Sequence, residues 1–319
     1  MRIRWAAVAA MLLLAVLICV ASLLMGAGIP ARQALLALLG GHDELARSVM
    51  LQIRIPRLFA ALGVGGVLAL AGVLLQALFR NALADPYVLG VSGGAAVGAL
   101  LALLLNLAPL GVQGAAFAGA IGAVLLVYLL ARDGGNAQLL LTGVLLASAC
   151  GALITVLLAL SDSARLRSMI FWLAGDLSWA PNPWLSVGTA ALAAALAGAI
   201  SRPLNVLAAG ELRARSVGLD LELWRRGIFL ASAGLTAIAV VSAGTVGFVG
   251  LITPHVVRLA LRTSDHRIVA PVSVLLGGSL LAGADLIART IAEPRQLPVG
   301  AVMALLGAPV FITMLRAQR

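Results

Sequence analysis

Long apolar runs recur along the whole 319-residue chain, and they constrain its fold more than any other feature. A run of about 18 or more apolar residues reads as a membrane-spanning helix. Unpaired backbone groups facing lipid cost several kcal/mol each, so irregular lipid-facing loops within the bilayer are excluded. Hydrophobic residues make up 62% of the chain and charged residues 11%. No soluble domain needs that much apolar surface, so water-soluble folds are excluded as well. The expected class is an all-α polytopic membrane protein, a single transmembrane domain over 1–319.

Ten spans are predicted, at about 5–25, 58–79, 89–107, 112–130, 138–160, 184–200, 228–241, 248–261, 268–291 and 299–315. The first has the basic start and small residues of a signal peptide. Its apolar run exceeds the 7–15 residues usual for such a segment, which favours a membrane helix. Ten spans put both ends on one side. With both ends in the cytoplasm, the inner arginines are Arg2, Arg4, Arg80, Arg132, Arg202, Arg213, Arg215, Arg225, Arg226, Arg258, Arg262, Arg267, Arg316 and Arg319. The outer ones are Arg32, Arg47, Arg54, Arg57, Arg165, Arg167, Arg289 and Arg295. The excess faces inward, as the positive-inside rule requires.

All 22 basic residues are Arg. A P-loop needs a Lys on the nucleotide phosphates, so this chain carries no such site. If ATP drives the protein, another subunit binds it. The basic balance reads as loop charge that orients the chain in a membrane, not as a nucleic-acid surface. The three His and two Cys show no metal-ligand spacing, and no cofactor is expected.

Two stretches interrupt the apolar pattern. "RNALADPYVLGVSGGA", 80–95, gathers Asn81, Pro86, Gly90, Ser92 and Gly93. "SAGTVGFVGLITPHVVR", 242–258, gathers Gly244, Gly247, Gly250 and Pro254. Broken helices of this kind often line a solute path, and one break in each half hints at internal duplication. The first stretch also fits G-x-S-x-G, so Ser92 with His255 could form the nucleophile and base of an intramembrane protease. The architectural reading is that Arg80 to Pro86 end the second span at the inner face and the Gly cluster starts the third span against its neighbours. Asp285 is the one acid well inside a span, and Arg289 four residues on can neutralise it.

The longest inner loop, 201–227, alternates Leu207, Leu212 and Val217 with Glu211, Arg213 and Arg215. It reads as a short amphipathic helix closed by Gly218, then a second short helix, 221–226, capped by Asp220. Such a face suits a cytosolic partner; an interfacial helix touching only headgroups would look similar. Outside, Arg54 and Arg57 frame "RIPR", with Pro56 suited to a helix start. These cations could dock an acidic partner or simply be solvated charge.

The chain resembles the FecCD-type permease subunits of ABC importers for vitamin B12, haem and ferric siderophores. The resemblance rests on "RIPR" at 54–57, "GVLALAGVLLQALFRNALADPYVLGVSGGA" at 66–95, "FWLAGDLS" at 171–178, "ELRARSVGL" at 211–219, "GTVGFVGLITPHVVR" at 244–258, "DHR" at 265–267 and "LPVGAVMALLGAPVF" at 297–311. It implies the type II importer fold, with spans two to five repeated inverted in spans seven to ten. It implies a homodimer in the bacterial inner membrane, working with two ABC ATPase subunits and a periplasmic binding protein. Spans five and ten would line the path, near 142–155 and 300–311. Ala208, Gly210, Glu211, Arg213, Ala214, Arg215, Ser216 and Gly218 would seat on the ATPase. Arg54, Arg57 and Arg289 would receive acidic residues of the binding protein. The chain itself would do no covalent chemistry. It departs from the family at Ala82, where Pro is usual, and at Gln296, where Glu is usual. A stand-alone secondary transporter is the other class to weigh, although such carriers usually show more buried acids.

Overall fold

A computed structural model describes residues 2–26, 28–41, 43–131, 135–179 and 182–316. Arg132 and Arg319, counted among the inner arginines, lie outside the described residues. In chain order the helices are α1 (Arg2–Leu24), α2 (Ala31–Leu38), α3 (Glu44–Val49), α4 (Ile55–Phe79), α5 (Val91–Leu104), α6 (Pro109–Ala131), α7 (Asn136–Ala159) and α8 (Ser163–Ala174). They continue as α9 (Pro183–Ala199), α10 (Ser201–Ala208), α11 (Glu211–Ser216), α12 (Leu221–Ala243), α13 (Val249–Leu261), α14 (His266–Thr290) and α15 (Val299–Arg316).

Six helical stretches are long and apolar enough to cross a membrane alone: α1, the run ending in α4, α6, α7, α12 and α14. α9 and α10 meet at a 68° bend and form a further candidate span. α5, α13 and the apolar part of α15 are shorter. An apolar helix therefore stands at each predicted span.

Two elements are longer than expected. The helix containing span two starts at Glu44, with Asp43 accepting a hydrogen bond from the Ala46 N–H at 3.0 Å. It runs 36 residues to Phe79. A π-helical turn at Met50–Arg54 lies just before Pro56. Proline lacks an N–H and clashes with the carbonyl four residues back, and a widened turn accommodates both. The segment from Leu221 is not a separate short helix either. Asp220 caps it as expected, but it continues to Ala243, because only Gly227 separates the polar start from the apolar span. A single interior glycine costs about 1 kcal/mol and does not end a helix.

α4 is the buried axis of the bundle and packs against α14, α9, α12 and α13. Its glycines set those crossings. A Cβ at Gly65 would lie 2.3 Å from the Gly277 carbonyl oxygen, and one at Gly72 would lie 1.9 Å from that of Gly250. Close backbone contact replaces the hydrophobic drive that is missing between helices in lipid. The order long, short, long, long occurs twice. α4 to α7 have 25, 14, 23 and 24 residues, and α12 to α15 have 23, 13, 25 and 18. α4 packs on α14 of the second set, and α12 packs on α6 of the first. This reciprocal exchange is the internal repeat.

Candidate transport pathway and its two end surfaces

The two interrupted stretches meet. α4 ends at Arg80 in a left-handed conformation, φ 52°. The Asn81 side chain then accepts from the Leu83 N–H at 2.9 Å, so the turn forms with Ala82 in place of proline. Asp85 accepts from the Tyr87 N–H at 2.8 Å and caps a 3₁₀ turn, Pro86–Leu89. Gly90, φ 75°, supplies the left-handed step into α5. On the other side, α12 ends at Gly244, φ 68°, and Phe248, φ 69°, starts α13. The Tyr87 hydroxyl accepts from the Val246 N–H at 2.8 Å. A Cβ at Gly250 would lie 3.0 Å from the Pro86 ring.

Within the first break, Pro86 and Gly90 lie deeper in the bundle than the residues at its start. Both are buried, while Asn81 and Ala82 stay exposed. The contact at Gly72 lies roughly 22 Å along α4 from Arg57, at 1.5 Å per residue. Irregular backbone is tolerated at membrane depth when protein covers it and its polar groups are satisfied. Gln76 satisfies more of them, its Nε2 donating to the Gly250 and Leu251 carbonyls at 3.3 Å each. Arg258 donates to the Gln76 Oε1. Gly93 packs on Cys150 of α7, and Pro254 lies buried inside α13. Gly247 has open space where a Cβ would stand. Ser92 is on α5, whose main neighbours are α6, α7 and α12. His255 is buried on α13, packed by α4, α14, α1 and α15. That arrangement lends a nucleophile–base pair no support.

Distant motifs converge beside the second break. The Asp176 N–H donates to the Ala243 carbonyl at 2.9 Å, and the Val299 N–H donates to the Gly175 carbonyl at 3.0 Å. Gly175, Gly244 and Gly300 permit this junction: a Cβ on Gly175 would lie 2.6 Å from the Thr245 oxygen, and one on Gly300 2.3 Å from the Ala174 oxygen. Tyr87, Gln76 and Phe248 were not singled out from the sequence. A Gln inside an apolar run is a visible signal; the roles of Tyr87 and Phe248 depend on partners far along the chain.

The three arginines expected at an outer rim, Arg54, Arg57 and Arg289, are buried. Arg54 is 2% exposed, and Arg57 and Arg289 are 7% each. Arg54 Nη1 donates to the Leu23 and Leu24 carbonyls at 2.8 and 3.0 Å, and Nη2 to those of Gly26 and Ile29 at 2.7 and 3.0 Å. It thereby satisfies orphan carbonyls where α1 ends, which favours a cation. Arg57 Nε donates to both Asp285 oxygens at 2.9 and 3.1 Å, and Nη1 to Gln296 Oε1 at 3.0 Å. Asp176 lies 3.9 Å from Arg57 Nη2. Arg289 Nε is 3.1 Å from Asp285, and its Nη2 reaches the Ser22 carbonyl and hydroxyl at 3.0 and 2.9 Å. The expected Asp285–Arg289 pair is present, with Arg57 as a third member. Buried guanidinium groups need such partners, since a desolvated charge left alone is costly. Gln296, where the family usually has Glu, supplies an uncharged acceptor to this cluster.

At the opposite end of the bundle lie α10 and α11. Gly210, φ 117°, breaks the predicted single helix in two. Gly218, φ 76°, ends the second as expected. Ala214 is buried beneath α11, and Leu212 and Val217 are 88% and 61% exposed. Ala208, Arg213, Arg215 and Ser216 are exposed around them. Glu211 pairs with Arg80 at 3.4 Å and Arg225 at 2.8 Å, joining α11 to the end of α4 and the start of α12. On the other flank, Asn205 of α10 donates to Asp265 at 2.8 Å and accepts from the His266 N–H at 2.9 Å. The Asn205 and Arg267 N–H hydrogen bonds hold the Asp265 carboxyl below its usual pKa.

Comparison with known proteins agrees with this architecture. The model of the FecCD transport family matches residues 12–317. The vitamin B12 import system permease protein BtuC of Klebsiella pneumoniae is 42% identical over 277 residues, covering 84% of this chain and 82% of its own length. The Escherichia coli O6:H1 protein of the same name is 40% identical over 271 residues, covering 83% and 82%. A solved inward-facing transporter assigned to the metal-chelate ABC type superposes with a TM-score of 0.85 at 30% identity, covering 97% of this chain and 98% of that one. PsaBC from Streptococcus pneumoniae shares the fold at a TM-score of 0.58 and 16% identity, covering 84% and 93%. By sequence over nearly its whole length, and by fold, the chain belongs to the FecCD transport family and is a membrane permease subunit of an ABC importer.

Proposed function

We propose that two copies of this chain form a path for a bulky metal chelate across the bacterial inner membrane, with two ATPase subunits inside and a binding protein outside. The observation that carries the reading is the link from α11 to the paired breaks. Glu211 ties the exposed Leu212 face to Arg80, the residue from which the first break starts. A partner that moves α11 therefore pulls on the segment whose Pro86 and Tyr87 rest on the second break. Exposed ion pairs are weak, so the link acts by position rather than strength.

α7 and α15 support the dimer, because both leave broad apolar faces uncovered in a single chain. Ser148 and Thr155 on the open face of α7 donate to carbonyls four residues back, which takes up both hydroxyl protons within the helix. The residues alone lean slightly toward an iron complex or haem. Identity of 40–42% to vitamin B12 permeases shifts the preferred cargo to a corrinoid. We assign binding-protein docking to Arg47 and Arg295, which are exposed near the buried arginine cluster, rather than to Arg54, Arg57 and Arg289. Both termini are assigned to the cytoplasm.

The test is reconstitution of the chain with its cognate ATPase and binding protein in proteoliposomes, scoring uptake of cyanocobalamin and of a ferric siderophore. Uptake should require ATP. Leu212→Glu should lower it about tenfold, as for an interface anchor worth about 1.4 kcal/mol, while leaving folding within about 0.5 kcal/mol. Uptake that persists without the ATPase would overturn the reading.

A further inference from the structure

We propose that a cavity at the α10–α11 end of the bundle, between α1, α14 and the α13–α14 turn, binds one anionic phospholipid of the facing leaflet. The cavity has a volume of about 420 Å³ and is lined by Trp5, Leu261, Thr263, Arg267, Pro271 and Val272 among others. It lies at the same end as α10, because Asn205 of α10 bonds Asp265 and His266 beside it.

Depth and chemistry select the ligand. From Arg267 to Val272 the wall runs roughly 7.5 Å down α14, at 1.5 Å per residue. One cavity thus starts at headgroup level and ends among acyl chains. Its deeper wall is apolar and cannot satisfy water. Its mouth carries a guanidinium and a hydroxyl. Arg267 is exposed; the carboxylate its charge acts on, Asp265 two residues back, is already held by the Asn205 amide and the Arg267 N–H. Thr263 Oγ1 accepts from the Asp265 N–H at 3.3 Å, which leaves its own proton to donate. A phosphate suits both groups. Trp5, 66% exposed, stands where an indole prefers the boundary between water and lipid. Basic pockets between spanning helices on the cytoplasmic side recognise anionic headgroups, and a zwitterionic lipid gains less from the Arg267 cation.

Trp5 itself reports occupancy. The full chain is reconstituted in phosphatidylcholine vesicles containing a minor fraction of phosphatidylglycerol, with bromine on the acyl chains of one lipid or the other. The Trp5 signal is the wild-type emission less that of Trp5→Phe. Brominated phosphatidylglycerol should quench Trp5 beyond its share of the bilayer, and high salt should weaken that preference. Arg267→Gln should reduce the preference about fivefold, the effect of one cation near an anionic headgroup. Val272→Phe, which fills the deep end, should reduce it as well. Quenching in proportion to bulk composition would overturn the proposal. So would a preference that survives both substitutions. Absence of quenching by either lipid would mean that protein, such as a second copy, covers the cavity, and would equally overturn it. The wild-type comparison and its salt dependence need no variant to fold.

Discussion

Removing the Asp285 carboxylate is the severest single test of the buried Arg57–Asp285–Arg289 cluster. Asp285 is 1% exposed and is the nearest counter-charge to both Arg57 and Arg289. Asp285→Ala leaves two buried guanidinium groups facing each other. Breaking a buried pair from one side costs about 3–5 kcal/mol, mostly the desolvation of the abandoned charge. Asp285→Asn keeps one acceptor oxygen and should lose about 1.5–3 kcal/mol, one charge-assisted hydrogen bond. Arg57→Met should cost less than Asp285→Ala, because Asp285 retains Arg289 at 3.1 Å. The triple change Arg57→Met, Asp285→Leu, Arg289→Met should recover most of the loss, since apolar residues of similar size replace a buried ion pair at little cost. The readout is the apparent unfolding midpoint of the purified full chain, followed by tryptophan fluorescence at one scan rate. At about 2 °C per kcal/mol for a large domain, Asp285→Ala should fall roughly 6–10 °C. A shift of Asp285→Ala within about 1 °C, or a triple variant as unstable as the single one, would refute the reasoning.

Gly72→Ala places a Cβ 1.9 Å from the Gly250 carbonyl oxygen, where no rotamer relieves the clash. It should cost about 3 kcal/mol or more and lower the folded yield in size-exclusion chromatography. Gly114→Ala on α6, with open space around it, is the control and should leave the yield unchanged. The Asp265 carboxyl is held below its usual pKa by the hydrogen bonds from Asn205 and the Arg267 N–H. Because the folded-state value is the lower one, its contribution is present above the unfolded value of about 3.9. It fades as pH falls through the folded value. Acid titration of stability should therefore show an extra loss below about pH 4 in the wild type that Asp265→Asn lacks. Identical acid limbs would count against the Asn205–Asp265 link.

The helical spans and the Asp220 cap were legible in the sequence because each depends on neighbours a few residues away. Hydropathy over a helix length, a glycine after a helix and a carboxylate before one act locally, and the structure has helices where those signals stand. The Asp285–Arg289 pair was legible for the same reason, one turn of helix apart. The role of Arg57 was not: its carboxylate partner is 228 residues away. Charge near a helix start reads as an exposed rim until the packing of α4 on α14 buries it. Likewise Pro86 and Gly250 each announced a broken helix. That the breaks touch, with the Tyr87 hydroxyl on the Val246 N–H, follows from where α4 allows α13 to approach, at Gly72. The sequence by itself determined which segments enter the membrane and which residues interrupt them. Only the tertiary structure decided which buried charges and broken ends meet, because long-range partners are chosen by helix packing and not by chain order.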